Sequence, residues 1–334
     1  MPIESGYEPD SADAFYLSEV SPDDRPWEIH RAAADRVMQL YSQVGFVRYS
    51  ERMADCAQLL EFAGISSDLK PFILKLQSAP FCRVRFCPVC QWRRSLMWRA
   101  RFFKVLPKIV ADYPAARFIF LTLTVRNCQI TELRKTLTWM NKAWRRLIER
   151  KQFPAIGFVK SVEVTKSDDG TAHPHFHVIL MVDSNYFKRG YISHNRWVDL
   201  WQDCLRVNYK PSVHVKAIKP PKNADKYESS ALDKAIVVAF CETLKYSTKE
   251  SDLEDSASWL EELTRQLHKT RAISVGGVLR DYLSEDDPEN LVDGDISQDE
   301  LVNDDAPRFL FGWEEEKERY RKDYIPKKKR QRCD

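Results

Sequence analysis

The sequence predicts an α+β fold in which an antiparallel sheet is flanked by helices. Residues 157–166 and the apolar run 178–182 have the composition of buried strands. Between them, Asp169-Gly170 is typical of a tight hairpin turn, because both residue types tolerate a positive φ. The two strands are therefore expected to pair antiparallel. Surrounding segments with apolar residues three and four positions apart indicate amphipathic helices.

The other elements are assigned in chain order. Residues 1–26 are polar and acidic without a periodic pattern, which indicates a disordered arm. A helix is expected over roughly residues 28–62, and a second helix follows a cysteine-rich segment at 81–104. The remaining predictions are strands at 117–125 and 213–219, and helices at 131–150, 195–207 and 231–249.

These elements suggest four regions. The arm at 1–26 precedes a helical, cysteine-containing module at 27–110. The sheet domain follows at 111–250. Residues 251–334 form a helical and acidic C-terminal region with a basic tail.

Composition limits the classes of function. The chain has 334 residues, 43% hydrophobic and 12% aromatic, enough to form one large core or two modest ones. A net charge of +3 gives no argument for a polyanionic partner, but the charge is unevenly distributed. Residues 69–111 contain no acidic side chain, whereas 281–305 contain eleven and no Lys or Arg. Charge runs such as this tract and the basic residues 327–330 are usually solvated.

The sequence also suggests a cellular location. No apolar run is long enough to cross a bilayer, and no secretory leader is visible. We therefore expect a cytoplasmic protein without membrane association. Its eight cysteines are then expected to be reduced or metal-bound.

A histidine motif precedes the apolar run at 178–182. His175 and His177 lie on one face of the predicted strand, about 6–7 Å apart, and can hold one metal ion. On the neighbouring strand, Glu163 lies between two valines, where a charge is costly unless it is paired or metal-bound. Glu163 is the expected third ligand. His173 is an alternative, although Pro174 suggests that it lies in the turn before the strand.

Each of these residues alone has an ordinary explanation. The histidines can be satisfied core or surface residues, and the glutamate can face solvent.

A second motif, at 241–249, supports the metal hypothesis. Helical spacing places Glu242, Tyr246 and Lys249 on one face.

This helix face combines the groups needed for a phenolic nucleophile. Phenol has a pKa near 10, so Tyr246 needs help to react at neutral pH. A metal-polarised phosphodiester and the Lys249 ammonium would stabilise the developing charge, and Glu242 is placed to handle a proton. The ordinary alternative is an amphipathic helix with a half-buried tyrosine.

The cysteine segment predicts a zinc site. Cys82, Cys87 and Cys90 lie within nine residues around a proline, a spacing that suits tetrahedral zinc. Cys56 is the expected fourth ligand, and buried free cysteines are the alternative. Four arginines of this segment are expected to face phosphate groups of DNA: Arg83, Arg85, Arg93 and Arg94.

Taken together, these motifs resemble those of plasmid rolling-circle replication initiators of the HUH endonuclease superfamily, nearest the staphylococcal-type Rep family. Residues 120–124 (Phe-Leu-Thr-Leu-Thr) resemble the first family motif, and 173–180 resemble the metal-binding motif. Residues 242–249 resemble the nucleophile motif, and 81–95 the upstream cysteine region. The likeness covers roughly residues 50–250 in the family's order and is more specific than any single motif.

The resemblance implies an HUH nuclease domain preceded by a zinc-bound module. His175 and His177 would bind Mg²⁺ or Mn²⁺, with Glu163 in place of the third histidine of relaxases. Tyr246 would attack single-stranded or hairpin origin DNA, keep a 5′-phosphotyrosine and release a 3′-OH primer. Glu242 would direct water at termination. Host helicase and polymerase partners are implied by the resemblance alone.

Two further functions stay open at this point. A relaxase or single-strand transposase would use the same metal site, although a relaxase tyrosine normally precedes the histidines and Tyr227 is poorly spaced as a second nucleophile. A zinc-containing DNA-binding regulator with structural histidines is the non-enzymatic alternative. Binding by such a regulator should survive chelation of Mg²⁺ or Mn²⁺, whereas nicking should stop.

Overall fold

The structure is a computed structural model of the chain. It describes residues 15–67, 70–219, 236, 239, 240, 243, 244, 248–283, 289–292 and 306–326, with the backbone alone for 66, 67 and 70–72. The helices are α1 (Leu17–Val20), α2 (Pro26–Gln43), α3 (Val47–Ala54), α4 (Pro88–Asp112), α5 (Leu133–Ile148), α6 (His194–Leu205), α7 (Glu250–Glu254) and α8 (Ala257–Leu267). The strands are β1 (Leu59–Ser67), β2 (Lys70–Ser78), β3 (Arg117–Thr124), β4 (Ala155–Lys166), β5 (Ala172–Val182), β6 (Val213–Ala217), β7 (Ile273–Gly277), β8 (Arg308–Glu314) and β9 (Arg319–Lys322).

The chain divides into two compact units, and the first combines residues from both ends of the sequence. Its antiparallel sheet has the strand order β2-β1-β8-β9. The Trp27 ring of α2 meets Phe62 edge-on at 6.4 Å, and Phe62 meets Phe311 at 5.9 Å. The buried Arg31 guanidinium is neutralised by Asp35 at 2.8 Å. These contacts place early and late parts of the chain in one core.

Two predictions for this unit need correction. The helix expected over residues 28–62 is wrong at its end, because α3 ends at Ala54 and β1 begins at Leu59. β1 lies between β2 and β8, so its second partner comes from far along the chain. Residues 15–26, assigned to a disordered arm, contain α1 and a 3₁₀ turn at Pro22–Asp24.

The second unit contains a five-stranded antiparallel sheet with the order β6-β3-β5-β4-β7. β4 and β5 form the predicted hairpin, in which Gly170 has a φ of 79°. β3, α5, α6 and β6 lie within a few residues of their predicted positions. The α+β class, with antiparallel sheets flanked by helices, is confirmed.

The two faces of this sheet are packed differently. On one face, Phe176 of β5 lies 6.4 Å from Trp201 of α6. On the other face, Val159 and Ile179 join Phe102 of α4 in a hydrophobic cluster. Side-chain alternation places the predicted metal ligands on this second face.

Residues beyond 250 contribute to both sheets. β7 pairs with β4, from Ser161 opposite Ile273 to Gly157 opposite Gly277. β8 and β9 belong to the sheet of the first unit. The region predicted at 251–334 is therefore divided between two sheets, and the basic residues 327–330 lie outside the described residues. Within the described part of the chain, no helix is long and apolar enough to cross a membrane.

Candidate metal centres and active site

Glu163, His175 and His177 meet on one face of the second unit's sheet. Glu163 of β4 pairs in register with His175 of β5, and strand alternation puts His177 on the same face. Oε2 of Glu163 lies 2.8 Å from Nε2 of His177 and 3.2 Å from Nε2 of His175. The three side chains are between 11% and 19% exposed, so the group is accessible from solvent. Their ligand atoms are close enough to share one metal ion.

Hydrogen bonds on the far side of each imidazole direct its Nε2 atom towards Glu163. Nδ1 of His175 lies 3.2 Å from the carbonyl oxygen of His173, which can only accept, so Nδ1 carries a proton. Nε2 of His175 then approaches a carboxylate oxygen of Glu163. That approach is favourable only with a proton or a cation between the two atoms. Nδ1 of His177 lies 3.3 Å from Oγ1 of Thr122, which allows the same arrangement.

Glu163 is ionised in this setting. Burial raises the pKa of its carboxyl group, but hydrogen bonds from His175 and His177 outweigh burial and lower the pKa to about 2. One anionic oxygen and two imidazole nitrogens are a donor set for a divalent cation, and they leave coordination positions open. The residues present therefore fit a divalent metal ion.

His173, the predicted alternative to Glu163, is not part of this group. It lies within β5 rather than in a turn before it. Its Nδ1 lies 2.7 Å from Oδ1 of Asn127. Asn127 also donates from Nδ2 to the hydroxyls of Ser167 and Thr171, at 2.8 and 2.9 Å. The His173 side chain is thus held at the hairpin turn, and Glu163 supplies the third donor.

The predicted nucleophile Tyr246 and the predicted acid Glu242 lie outside the described residues. Lys249 is described: it is exposed and precedes α7 with an extended backbone, φ −65° and ψ 146°. The prediction that Lys249 continues the helix of residues 231–249 is therefore wrong. The chain has left helical geometry before α7 begins.

The described residues on both sides of Tyr246 are attached to β4. Oγ of Ser161 donates to the carbonyl oxygen of Thr243 at 2.5 Å. The backbone N–H of Lys166 donates to the Asp252 carboxylate at 3.0 Å. Ser161 comes shortly before Glu163 in this strand and Lys166 shortly after it. The two attachments therefore flank the metal group along the same strand.

Four cysteines meet inside the first unit: Cys56, Cys82, Cys87 and Cys90, all buried. Sγ of Cys56 lies 3.6 Å from Sγ of Cys87 and of Cys90, and the Cys82 and Cys90 sulfurs are also 3.6 Å apart. In a tetrahedral site with Zn–S bonds of about 2.3 Å, the sulfurs lie about 3.8 Å apart. Bonded disulfide sulfurs are about 2.05 Å apart. The spacing fits one four-coordinate ion and excludes disulfides within the group.

Backbone amides and burial also favour a cation in this group. The N–H of Cys82 donates to the Cys56 sulfur at 3.5 Å, and that of Arg83 to the Cys90 sulfur at 3.3 Å. Such donors stabilise thiolates. Burial raises the pKa of the Cys87 thiol well above its usual range, and a cation bound among the sulfurs would counter this by favouring its thiolate. The structure brings the four predicted ligands together, including Cys56.

Two of the predicted DNA-binding arginines lie close to the cysteines. Arg83 is exposed and has a φ of 55°. Arg85 is half-buried, with its guanidinium 5.6 Å from the centre of the Phe86 ring. The exposed position of Arg83 is compatible with a phosphate contact.

The other two arginines, on α4, contact residues of the acidic tract. Arg93 is buried and donates to the carbonyl oxygens of Leu291 at 2.7 Å and Val292 at 2.8 Å. Arg94 forms an ion pair with Glu289. The prediction that Arg93 faces DNA is not supported, because protein carbonyls occupy its guanidinium within the fold.

Sequence reasoning missed three polar residues around the metal group: Thr122, Asn127 and Ser161. Thr122 and Ser161 are the register partners of His177 on the two neighbouring strands. Strand alternation alone identified the histidines. The same alternation identifies Thr122 and Ser161 as their neighbours once the order of the strands is known. Asn127 follows β3 and has no periodic signal.

Comparisons with known proteins identify the family of this chain. A family model described as "Replication protein" matches residues 73–321. The chain is 33% identical to a "Protein rep" of Lactiplantibacillus plantarum, over 81% of this chain and 85% of the relative. It is 28% identical to a "Protein rep" of Streptococcus pneumoniae (89% and 92%), and 32% identical to a "Replication protein" of Staphylococcus aureus (65% and 95%). No solved structure matches the chain.

Proposed function

Because this chain belongs to the family of Rep replication proteins, we propose that it initiates plasmid rolling-circle replication by nicking one strand of origin DNA. Family membership confirms the resemblance inferred from the sequence; the nicking chemistry is our proposal. The observation that carries it is the Glu163, His175 and His177 group. The attached segments on either side of Tyr246 support it.

The three residues of this group would hold Mg²⁺ or Mn²⁺. When bound, the ion would polarise the scissile phosphodiester and stabilise its developing negative charge. The protein's contribution is orientation: the Nδ1 contacts keep both imidazoles turned so that Nε2 faces Glu163. Without a metal ion, hydrogen bonds from the two imidazoles lower the pKa of Glu163 to about 2, so the group already contains one anionic oxygen.

Tyr246 would be the nucleophile. Its phenolic oxygen forms a bond to phosphorus while the bond from phosphorus to the 3′ oxygen breaks. Glu242 accepts the phenolic proton, and the released 3′ oxygen takes up a proton from water. The products are a 5′-phosphotyrosine and a 3′-OH that primes synthesis. Lys249 is the proposed source of positive charge near the phosphate; its exposed position between the two attachments to β4 supports this role in place of helical spacing.

The covalent intermediate also explains how replication would end. A phosphotyrosine retains the energy of the phosphodiester, so strand transfer to a new 3′-OH requires no nucleotide cofactor. Alternatively, Glu242 activates water, which hydrolyses the phosphotyrosine without a second tyrosine. The described chain flanking Tyr246 is anchored to β4 on both sides of Glu163, which favours a nucleophile held near the metal group.

The four-cysteine group would hold structural Zn²⁺ and present Arg83 and Arg85 to the DNA backbone. Single-stranded or hairpin origin DNA is the proposed partner. Host helicase and polymerase are proposed partners through the family alone.

Mass mapping of a covalent adduct tests the nuclease proposal. The protein is incubated with single-stranded origin DNA and Mn²⁺, digested, and analysed for nucleotide-bearing peptides. We expect a nucleotide on the peptide that contains Tyr246. Tyr246→Phe should bind the DNA without forming an adduct, whereas Tyr191→Phe, at an exposed tyrosine, should react normally.

Chelation separates this enzyme from a DNA-binding regulator. Removal of Mg²⁺ and Mn²⁺, under conditions in which metal analysis shows an unchanged zinc content, should abolish the adduct and leave binding to DNA intact. A regulator would bind DNA and form no adduct under any condition. Normal adduct formation by Tyr246→Phe would rule out the assigned nucleophile.

A further inference from the structure

The Thr-Leu-Thr stretch of β3 has no role in the mechanism above, yet it borders the metal group. β3 pairs with β5 so that Thr122 lies opposite His177 and Thr124 lies opposite His175. Both threonine side chains share the sheet face of the metal group. Their hydroxyls, however, make different contacts.

Thr122 contacts the His177 ring on the side away from Glu163. Its Oγ1 lies 3.3 Å from Nδ1 of His177. The ring of Phe120, on the same strand, lies 5.5 Å from the His177 ring at an angle of 30°. A hydroxyl at Nδ1 and an aromatic ring against one face leave little rotational freedom. The opposite nitrogen, Nε2, then points to Glu163 at 2.8 Å.

From these contacts we propose that Thr122 is a positioning residue that fixes the tautomer and ring orientation of His177. Nδ1–H of His177 donates to Oγ1 of Thr122, so that the Nε2 lone pair is directed into the metal group. This role rests on the proposed metal site. It assigns a function to the Thr-Leu-Thr stretch: β3 supplies an orienting contact for a ligand that β5 carries.

A residue just after β3 contacts His175 indirectly, through His173. Oδ1 of Asn127 accepts from Nδ1 of His173 at 2.7 Å, and the His173 carbonyl accepts from Nδ1 of His175 at 3.2 Å. The Asn127 amide nitrogen also holds the hairpin turn through Ser167 and Thr171. Asn127 is exposed, yet each polar end of its side chain is engaged. That pattern is expected of a residue that fixes its neighbours.

Thr124 provides a matched control within the same strand. Its hydroxyl donates to the carbonyl oxygen of Ser212 at 2.9 Å and makes no described contact with an imidazole. Thr122→Val and Thr124→Val therefore remove the same hydroxyl group from the same face of β3. Only Thr122→Val removes a hydrogen-bond partner of an imidazole.

Isothermal titration with Mn²⁺ on the full chain tests the proposal. Thr122→Val should weaken Mn²⁺ binding about ten-fold, and Thr124→Val should change it by less than about two-fold. Thr122→Ser retains the hydroxyl and should restore binding close to that of the unsubstituted chain. Nitrogen-15 NMR of the imidazoles should show Nδ1-protonated His177 in the unsubstituted chain and in Thr122→Ser, and a tautomer mixture in Thr122→Val.

The outcomes separate this inference from the proposed function. Equal Mn²⁺ affinity and equal His177 tautomer in Thr122→Val and the unsubstituted chain would overturn the positioning role. Failure of the unsubstituted chain to bind Mn²⁺, or unchanged binding in His177→Ala, would instead overturn the metal site. If Thr122→Val unfolds, Thr122→Ser decides: restored binding supports the hydroxyl contact, and a ten-fold loss with a folded chain contradicts it.

Discussion

The two candidate metal centres of this chain are built in opposite ways. The four-cysteine group is fully buried and offers only sulfur atoms. The Glu163 group is partly exposed and offers one oxygen and two nitrogens. Four protein ligands close a tetrahedral site, whereas three leave positions for a substrate. We therefore propose that the four-cysteine group, the closed centre, stabilises the fold and that the Glu163 group, the open centre, carries the chemistry.

The two centres also differ in the groups that support them. Backbone N–H groups donate to the cysteine sulfurs, so that site depends on the local chain path. A threonine hydroxyl and a carbonyl oxygen contact the imidazoles, so those rings depend on neighbouring side chains and on strand register. Loss of metal should therefore disrupt folding at the first centre and orientation at the second.

Removing a ligand from the closed centre is expected to have the largest effect. Cys87→Ser should lose bound zinc and unfold the first unit, because binding of structural zinc contributes about 10–16 kcal/mol in small zinc domains. Metal analysis and thermal unfolding measure both changes. Cys128→Ser, outside the cluster, is the control and should keep its zinc. A stable, zinc-containing Cys87→Ser protein would refute the structural role.

Removing the negative charge of Glu163 from the open centre should reduce its affinity for Mn²⁺ without changing the zinc content of the protein. Glu163→Gln retains the shape but removes the anionic donor. We expect Mn²⁺ affinity to fall by about 100-fold or more, because loss of a direct ligand should exceed the 10–100-fold effect of losing a residue that only orients one. Titration calorimetry gives the affinity, and metal analysis should show unchanged zinc content. Glu149→Gln, at an exposed position, serves as the control. Unchanged Mn²⁺ binding in Glu163→Gln would show that the carboxylate is not a ligand.

Loosening the support of the open centre should have the smallest effect. Asn127→Ala releases His173 and the hairpin turn, and we expect Mn²⁺ affinity to fall about three-fold, as for the loss of one hydrogen bond. The same titration measures it. Asn127→Asp retains the acceptor for His173, so its Mn²⁺ affinity should lie between those of Asn127→Ala and the unsubstituted chain. Asn195→Ala, at an exposed position on α6, should leave the affinity unchanged. Unchanged Mn²⁺ affinity in Asn127→Ala would show that Asn127 does not orient the imidazole ligands, and would leave Thr122 as the orienting residue.

Much of the metal group was predictable because local pattern determines it. The strand period of two places His175 and His177 together, and the Asp169-Gly170 turn brings Glu163 opposite them. The spacing of Cys82, Cys87 and Cys90 around a proline likewise identifies a metal site within one short segment. These inferences needed no knowledge of distant contacts.

The remaining features depend on contacts between distant parts of the chain. Only the first four residues of β1, 59–62, were included in the predicted helix. The partner that identifies them as a strand, β8, lies near the other end of the sequence, so local pattern could not reveal it. Arg93 was predicted to face DNA because it lies in a basic segment. Its two carbonyl partners, Leu291 and Val292, follow it by almost two hundred residues, so local pattern could not reveal them. Thr122 has the right strand parity, but only the strand order shows that it faces His177. Non-local pairing, rather than weak propensity, limits prediction here.

Anomalous diffraction from crystals grown with Zn²⁺ and Mn²⁺ tests the central claim most directly. Data collected at the edges of the two metals locate each ion separately. We expect zinc among the sulfurs of Cys56, Cys82, Cys87 and Cys90, and manganese within bonding distance of Glu163, His175 and His177. Manganese elsewhere, with these three residues contacting only one another, would contradict the assignment of chemistry to the open centre.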